Sequence, residues 1–301
     1  MEIISVIPRG YCQGVVRAIG IARKTAADHP GQPVTMLGMI VHNSYVVRAC
    51  QELGIRFVED PGKTRLELLD EISEGIVIFT AHGVSDDVRA KAEEKGLTAV
   101  DATCPDVLRT HTLVKEHCLK GDLIYIGKRN HPESEGTVSL SSRVHLVTQP
   151  DDVSRLPDLE NVMVTTQTTL SIHDVQPVIQ ACLDRFPDAA VMNEICSATR
   201  MRQEAVMKLK DIDVLIVVGD PRSNNSCQLK KIAGSCGIRE AWLIDSVLGL
   251  KEEMIRNKNR IAVTSGSSTP NSITSQVISF LTQYAKTGEF ILPEHVDNRL
   301  L

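Results

Sequence analysis

Three cysteines stand at equal intervals in this chain, and three thiolates with no histidine at matching positions suit a soft metal centre. Cys12 lies in Pro8-Arg9-Gly10-Tyr11-Cys12-Gln13-Gly14-Val15, Cys104 in Asp101-Ala102-Thr103-Cys104-Pro105-Asp106-Val107, and Cys196 in Asn193-Glu194-Ile195-Cys196-Ser197-Ala198-Thr199. The intervals are 104 − 12 = 92 and 196 − 104 = 92 residues. A [4Fe–4S] cubane normally takes four cysteines, so three leave one iron open to bind substrate as a Lewis acid while the cluster carries single electrons. Zinc is a competing reading, since three cysteines and a water fill a tetrahedral site. In a third reading the cysteines are small residues packing the starts of repeated helices.

A second set of groups points to an anion. His42, His82, His131, Ser223, Asn225 and Ser268 each follow an apolar run and precede a segment of helical character. Donors beside helix N-termini are the usual environment of phosphate, and histidine adds charge on protonation. Glu133, two residues after His131, is the best proton donor, because a carboxyl in a closed apolar cavity has its pKa raised. The Thr168 hydroxyl would bridge it to substrate; the competing role for Glu133 is to cap the turn that follows it. Lys128, Arg129 and Arg222 read as solvated loop residues.

The elements that must position these groups repeat with the cysteines. Each cysteine follows a short β-like run (Ile3 to Ile7, Leu97 to Val100, Ala189 to Met192) and precedes a helical segment such as Val15 to Ala27 or Arg200 to Leu209. Within each repeat two further strands end in polar loops: Val34 to Val41 and Gly75 to Thr80, Asp122 to Ile126 and Val162 to Thr165, Val214 to Val218 and Arg260 to Val263. Strands alternating with helices imply an α/β fold with mainly parallel sheets and right-handed crossovers. Ligands in such sheets bind beyond the carboxyl ends of the strands, where every group named above falls. The expectation is three pseudo-threefold-related α/β domains around a central site: 1–103, 104–195 and 196–281, then a C-terminal tail, 282–301.

Composition sets the class. The 301 residues are 42% hydrophobic and 24% charged, as in a globular protein that buries a large core. A net charge of −5 argues against a nucleic-acid surface, which needs basic patches. No apolar run approaches the roughly 20 residues that span a bilayer, and the N-terminus lacks a signal peptide's pattern, so a cytoplasmic protein is expected. Of the eight cysteines none forms a CxxC pair. Cys50, Cys118 and Cys182 fall in amphipathic helical stretches and read as small buried residues, and Cys227, near the Ser223 loop, as a spectator.

These motifs resemble the 4-hydroxy-3-methylbut-2-enyl diphosphate reductase family. The resemblance rests on Pro8 to Cys12 with Gly14-Val15, Val41-His42-Asn43, Ala81-His82-Gly83-Val84-Ser85, Asp101 to Pro105, His131-Pro132-Glu133 with Glu135-Gly136-Thr137, Thr166 to Ser171, Ile195-Cys196 with Ala198-Thr199, and Ser223 to Ser226, and it runs from about Ile3 to Val277. It implies a trefoil of three α/β domains around one [4Fe–4S] cluster held by Cys12, Cys104 and Cys196. It also implies that His42, His82, His131, Thr168, Ser223, Asn224, Asn225 and Ser268 contact the diphosphate substrate, and that Glu133 and Thr168 deliver protons. The implied reaction removes the hydroxyl reductively, giving isopentenyl and dimethylallyl diphosphates, with electrons from reduced flavodoxin or ferredoxin. Gln13, Asn224 and the Gly266 to Pro270 loop depart from the family pattern, which bears on the shape of the pocket. The rival from another class is a zinc- or metal-binding module without redox chemistry.

Overall fold

The structure, a computed structural model, describes residues 1–298. Strand β1 (Glu2–Ser5) and helix α1 (Gln13–Asp28) open the chain. Strands β2 (Val34–Leu37), β3 (Arg56–Val58), β4 (Ile76–Phe79) and β5 (Thr98–Asp101) form one sheet in the order β3-β2-β4-β5. Helices α2 (Ser44–Glu52), α3 (Arg65–Leu68) and α4 (Asp86–Glu94) connect them. Helix α5 (Pro105–Cys118) leads to β6 (Leu123–Ile126), β7 (Val144–Val147), β8 (Met163–Thr166) and β9 (Ala190–Met192), ordered β7-β6-β8-β9 and joined by α6 (Pro132–Val138), α7 (Pro150–Val153) and α8 (Ile172–Arg185). Helix α9 (Ser197–Met207) leads to β10 (Val214–Val218), α10 (Asn224–Ser235), β11 (Glu240–Ile244), β12 (Arg260–Ser265) and α11 (Asn271–Thr287). The third sheet runs β1-β12-β10-β11, so the first strand of the chain completes the last sheet.

All three sheets have four parallel strands with the same internal order, as the alternating pattern predicts. Parallel strands covered on both faces need apolar side chains in both directions. In β10, Val214, Ile216 and Val218 pack with Ile273, Val277 and Leu281 of α11, while Leu215 and Val217 pack with Val206 of α9 and Leu229 and Ile232 of α10. In the second sheet Ile124, Ile126 and Val164 meet Val175, Val178 and Cys182 of α8, and Leu123 and Tyr125 meet Val114 of α5. In the first, Leu37, Val77 and Phe79 meet Leu68, Val84 and Val88.

The chain divides into two compact units. One comprises residues 1–16, 42–49 and 197 onward and holds the third sheet; the other comprises 17–41 and 50–196 and holds the first and second. Two local differences from the sequence expectation have physical reasons. The strand expected over 34–41 stops at Leu37, because Gly38 adopts φ +94 and packs where a Cβ would lie 2.4 Å from the Arg65 guanidinium carbon. Met39, Ile40 and Val41 are buried in the loop beyond it, so an apolar run continues past the ladder. Of the tail expected over 282–301, residues 282–287 belong to α11, and 299–301 lie outside the described residues.

Candidate active site

Each of the three cysteines immediately precedes a helix, Cys12 before α1, Cys104 as the residue capping α5, and Cys196 before α9. The N–H groups left open at a helix start carry partial positive charge and favour anionic sulfur there. All three are half-buried, whereas Cys50 and Cys182 are buried in the core; Cys118, at the last position of α5, is half-buried. The backbone around them also repeats. The N–H of Cys12 donates to the Ser267 carbonyl at 3.1 Å, that of Cys104 to the Ala81 carbonyl at 3.0 Å, and that of Cys196 to the Thr168 carbonyl at 3.1 Å. Those carbonyls lie in the loops after β12, β4 and β8, so each cysteine is fastened beside Ser268, His82 or Thr168.

In the unit of the third sheet, the Ser268 hydroxyl donates to the His42 carbonyl at 3.1 Å and lies 3.4 Å from the Ser223 hydroxyl. Ser223 caps α10 by accepting from the Ser226 N–H. Asn225 Nδ2 donates to the Ser267 hydroxyl at 3.2 Å, and its buried Oδ1 has no partner among the described residues. A buried amide oxygen left this way destabilises by roughly 1–3 kcal/mol, and a half-turn of the amide offers its N–H groups to an anion. These bonds gather Cys12, His42, Ser223, Asn225 and Ser268, with Asn224 buried in the same first turn of α10. Asp220 braces the cluster. Its buried carboxylate accepts from the N–H and hydroxyl of Ser44, both at 3.0 Å, at the start of α2. Arg222 adds its N–H and guanidinium to the same carboxylate. Burial pushes the Asp220 carboxyl up, and these bonds overcome it and hold it well below the usual range.

In the other unit, Glu133 is 2% exposed and sits in the first turn of α6. Thr168 donates to it twice, N–H to Oε1 at 2.7 Å and hydroxyl to Oε2 at 3.0 Å. Burial raises its pKa from 4.5 to about 7, against the lowering effect of both Thr168 bonds and with a small push from Asp106. The carboxyl therefore keeps its proton well above the usual carboxylate range and is about half protonated at neutrality. His131 caps α6 through Nδ1, which accepts from the Glu133 N–H at 3.1 Å, so the neutral ring carries its proton on Nε2. The His82 ring stands edge-on to it with centroids 5.7 Å apart. Gln167 ties the loops, accepting from the Lys128 N–H at 2.9 Å and the Ser134 hydroxyl at 3.3 Å. Glu133, Thr168, Cys196, His131 and His82 are thus linked through direct bonds or ring contact, and Cys104 through Ala81.

Among the described residues, no group of three or more His, Cys, Asp or Glu side chains stands together as a metal site. Half-buried cysteines at helix starts are the donor type that a [4Fe–4S] cubane takes, each thiolate on a different iron.

A family model described as LytB protein matches residues 3–282. The chain belongs to the LytB family. Among relatives named 4-hydroxy-3-methylbut-2-enyl diphosphate reductase, that of Geobacillus thermodenitrificans is 48% identical over 289 residues, covering 94% of this chain and 91% of its own. That of Brevibacillus brevis is 48% identical over 291 residues, covering 94% and 92%. The solved E-1-hydroxy-2-methyl-but-2-enyl-4-diphosphate reductase of Plasmodium falciparum superposes with a TM-score of 0.88 at 31% identity, over 98% of this chain and 94% of that one. A solved (E)-4-hydroxy-3-methyl-but-2-enyl diphosphate reductase, the terminal enzyme of the non-mevalonate pathway, gives 0.66 at 29% identity, over 94% and 100%.

In this LytB chain several residues that build the site carry no signal that reading for chemistry would catch. Asp220 and Gln167 act on N–H groups and hydroxyls of other loops, so nothing in their spacing marks them. Gly10 is legible only as a possible turn, yet the loop before Cys12 depends on it. Its N–H donates to the Ser265 hydroxyl at 2.7 Å, its φ is +72, and a Cβ there would lie 1.6 Å from Asn271 Oδ1. Gly10→Ala is expected to lower stability by about 2 kcal/mol or more, through left-handed strain and displacement of Asn271, as read by the denaturant midpoint.

Proposed function

We propose that this chain reduces (E)-4-hydroxy-3-methylbut-2-enyl diphosphate to isopentenyl and dimethylallyl diphosphates. The observation that carries the reading is the buried Glu133 carboxyl, about half protonated at neutrality and bonded to Thr168, whose carbonyl fastens Cys196. Agreement in name among relatives at 47–48% identity supports it.

In this reading Cys12, Cys104 and Cys196 hold a [4Fe–4S] cluster. When bound, the cluster supplies single electrons and one iron without a cysteine, which polarises the substrate oxygen. The diphosphate is held by His42, Ser223, Asn224, Asn225 and Ser268 with His82 and His131, at helix starts that favour its charge. Thr168 orients the Glu133 carboxyl, and Glu133 gives its proton to the departing hydroxyl, which leaves as water. Two electrons and a second proton, added at either end of the allylic unit, complete the two products. The electrons come from a reduced flavodoxin or ferredoxin. Burial of Glu133 keeps water from competing for the proton. No helix among the described residues is long and apolar enough to cross a membrane; we place the enzyme in the cytoplasm, where its eight cysteines stay reduced.

The test is anaerobic incubation of the full-length chain with the hydroxymethylbutenyl diphosphate and an artificial one-electron reductant. Both isopentenyl and dimethylallyl diphosphate are expected. A brown, cluster-loaded protein that leaves the substrate intact would overturn the reading.

A further inference from the structure

Each cysteine is followed, a turn and a half into its helix, by an arginine: 17 − 12 = 5, 109 − 104 = 5 and 202 − 196 = 6. Each arginine reaches the segment in front of another of the cysteines. Arg17 Nη1 donates to the carbonyl of Thr103, one residue before Cys104, at 2.8 Å. Arg109 Nε donates to Glu194 Oε2, two residues before Cys196, at 2.9 Å. Arg202 Nη2 donates to the carbonyl of Gly10, two residues before Cys12, at 2.6 Å. The helix of the first cysteine grips the segment of the second, that of the second the third, and that of the third the first. The succession closes on itself.

We propose that Arg17, Arg109 and Arg202 are positioning residues for the three cysteine ligands, each fixing the loop that presents the next thiolate and bringing a permanent positive charge toward it. The inference rests on the cluster reading above. Arginine suits the task because its rigid fork of donors satisfies loop carbonyls while its charge never titrates away. Three thiolates accumulate negative charge that grows on reduction, and nearby cations and hydrogen bonds are what set the behaviour of such a centre. The second grip is itself anchored: the Glu194 N–H donates to the buried Thr166 hydroxyl at 3.0 Å, next to the loop of Thr168. The hydrogen bond to Glu194 raises the Arg109 pKa still further above its ordinary value, and the Cys196 sulfur adds a small push in the same direction. Arg202 is buried and also bonds the Ala198 carbonyl of its own helix, so its loss would disturb the fold; Arg17 and Arg109 are exposed and are the residues to change.

The experiment uses full-length Arg17→Gln and Arg109→Gln chains purified anaerobically, with hydrogen exchange followed peptide by peptide and iron release to a chelator followed by visible absorbance. The expected pattern is crossed. Arg17→Gln speeds exchange over 101–104 and leaves 193–196 and 9–12 as in the parent; Arg109→Gln speeds it over 193–196 alone. Both release iron several-fold faster than the parent, and Arg109→Lys, which keeps the pair with Glu194, restores most of the retention. Exchange that rises around a variant's own cysteine, or not at all, overturns the proposal. So does crossed exchange with parental iron release, which would make the arginines supports of the loops alone. Cluster uptake by the parent chain is measured first: a parent that takes up none overturns the proposed function, a result on which the variants have no bearing.

Discussion

Glu133→Gln is expected to leave any bound cluster and the substrate KM close to parental and to lower kcat by about 10²- to 10⁴-fold, the usual contribution of a positioned proton donor. Glutamine has the shape to stay in place. Its Oε1 can accept from the Thr168 N–H as the carboxylate does at 2.7 Å, and its amide can donate to a Thr168 hydroxyl turned to accept. What is lost is the proton itself, which no amide supplies. Single-turnover kinetics with pre-reduced protein would separate this step from electron delivery. Near-parental turnover in that assay removes Glu133 from the mechanism.

The same substitution tests why Glu133 holds its proton. The folded-state pKa of about 7 lies above the ordinary 4.5 because burial disfavours the charged form. Between these two values the folded chain binds more protons than the unfolded one, so this group's contribution to stability is complete below pH 4.5 and is lost as pH rises through 7. At 1.36 kcal/mol per unit the loss is at most about 3 kcal/mol. Glutamine never ionises. The variant should therefore match the parent in acid and exceed it in thermal stability at pH 8, while parental kcat falls above pH 7. A parental stability curve that rises through this window would show that the carboxyl is held ionised.

How much of this was legible follows from what each residue does. The three cysteines and the polar loop ends announce themselves by type and spacing, because cysteine and histidine are uncommon residues and the parallel strands before them read as apolar runs. The edge strands β3 and β7 and the strand β11 did not. They are short, half-exposed and carry mixed residues, so no apolar run marks them, and only pairing with the central strands makes them strands. That β1 completes the third sheet was equally hidden, since it is a fact of topology between residues some 258 apart, such as Glu2 and Arg260. The bracing groups form a third class. Asp220, Gln167, Arg17 and Arg202 act largely on carbonyls and N–H groups of other loops, and Arg109 on a carboxylate 85 residues away, and neither kind of partner leaves a trace in sequence.

Cys104→Ser should abolish cluster retention and turnover while leaving the fold as stable as before or slightly more so. Position 104 caps α5, and serine is a far better cap than cysteine, able to accept from an N–H of the first helical turn; such a bond is worth about 1 kcal/mol. The hydroxyl is smaller and harder than a thiolate and does not hold iron of this kind. Iron and sulfide per chain should fall well below the parental value, with an unchanged or raised melting temperature. Cys50→Ser supplies the contrast. Cys50 is fully buried in α2, and burial alone pushes its thiol up to about 11, so it packs as a neutral apolar residue. Replacing it with a hydroxyl buries a polar group without an assured partner and should cost about 1–3 kcal/mol while leaving iron content intact. The two cysteines thus fail in opposite ways, one losing metal without losing stability and the other losing stability without losing metal. A Cys104→Ser chain that retains full iron would show that the thiol at the start of α5 is a helix cap and not a ligand.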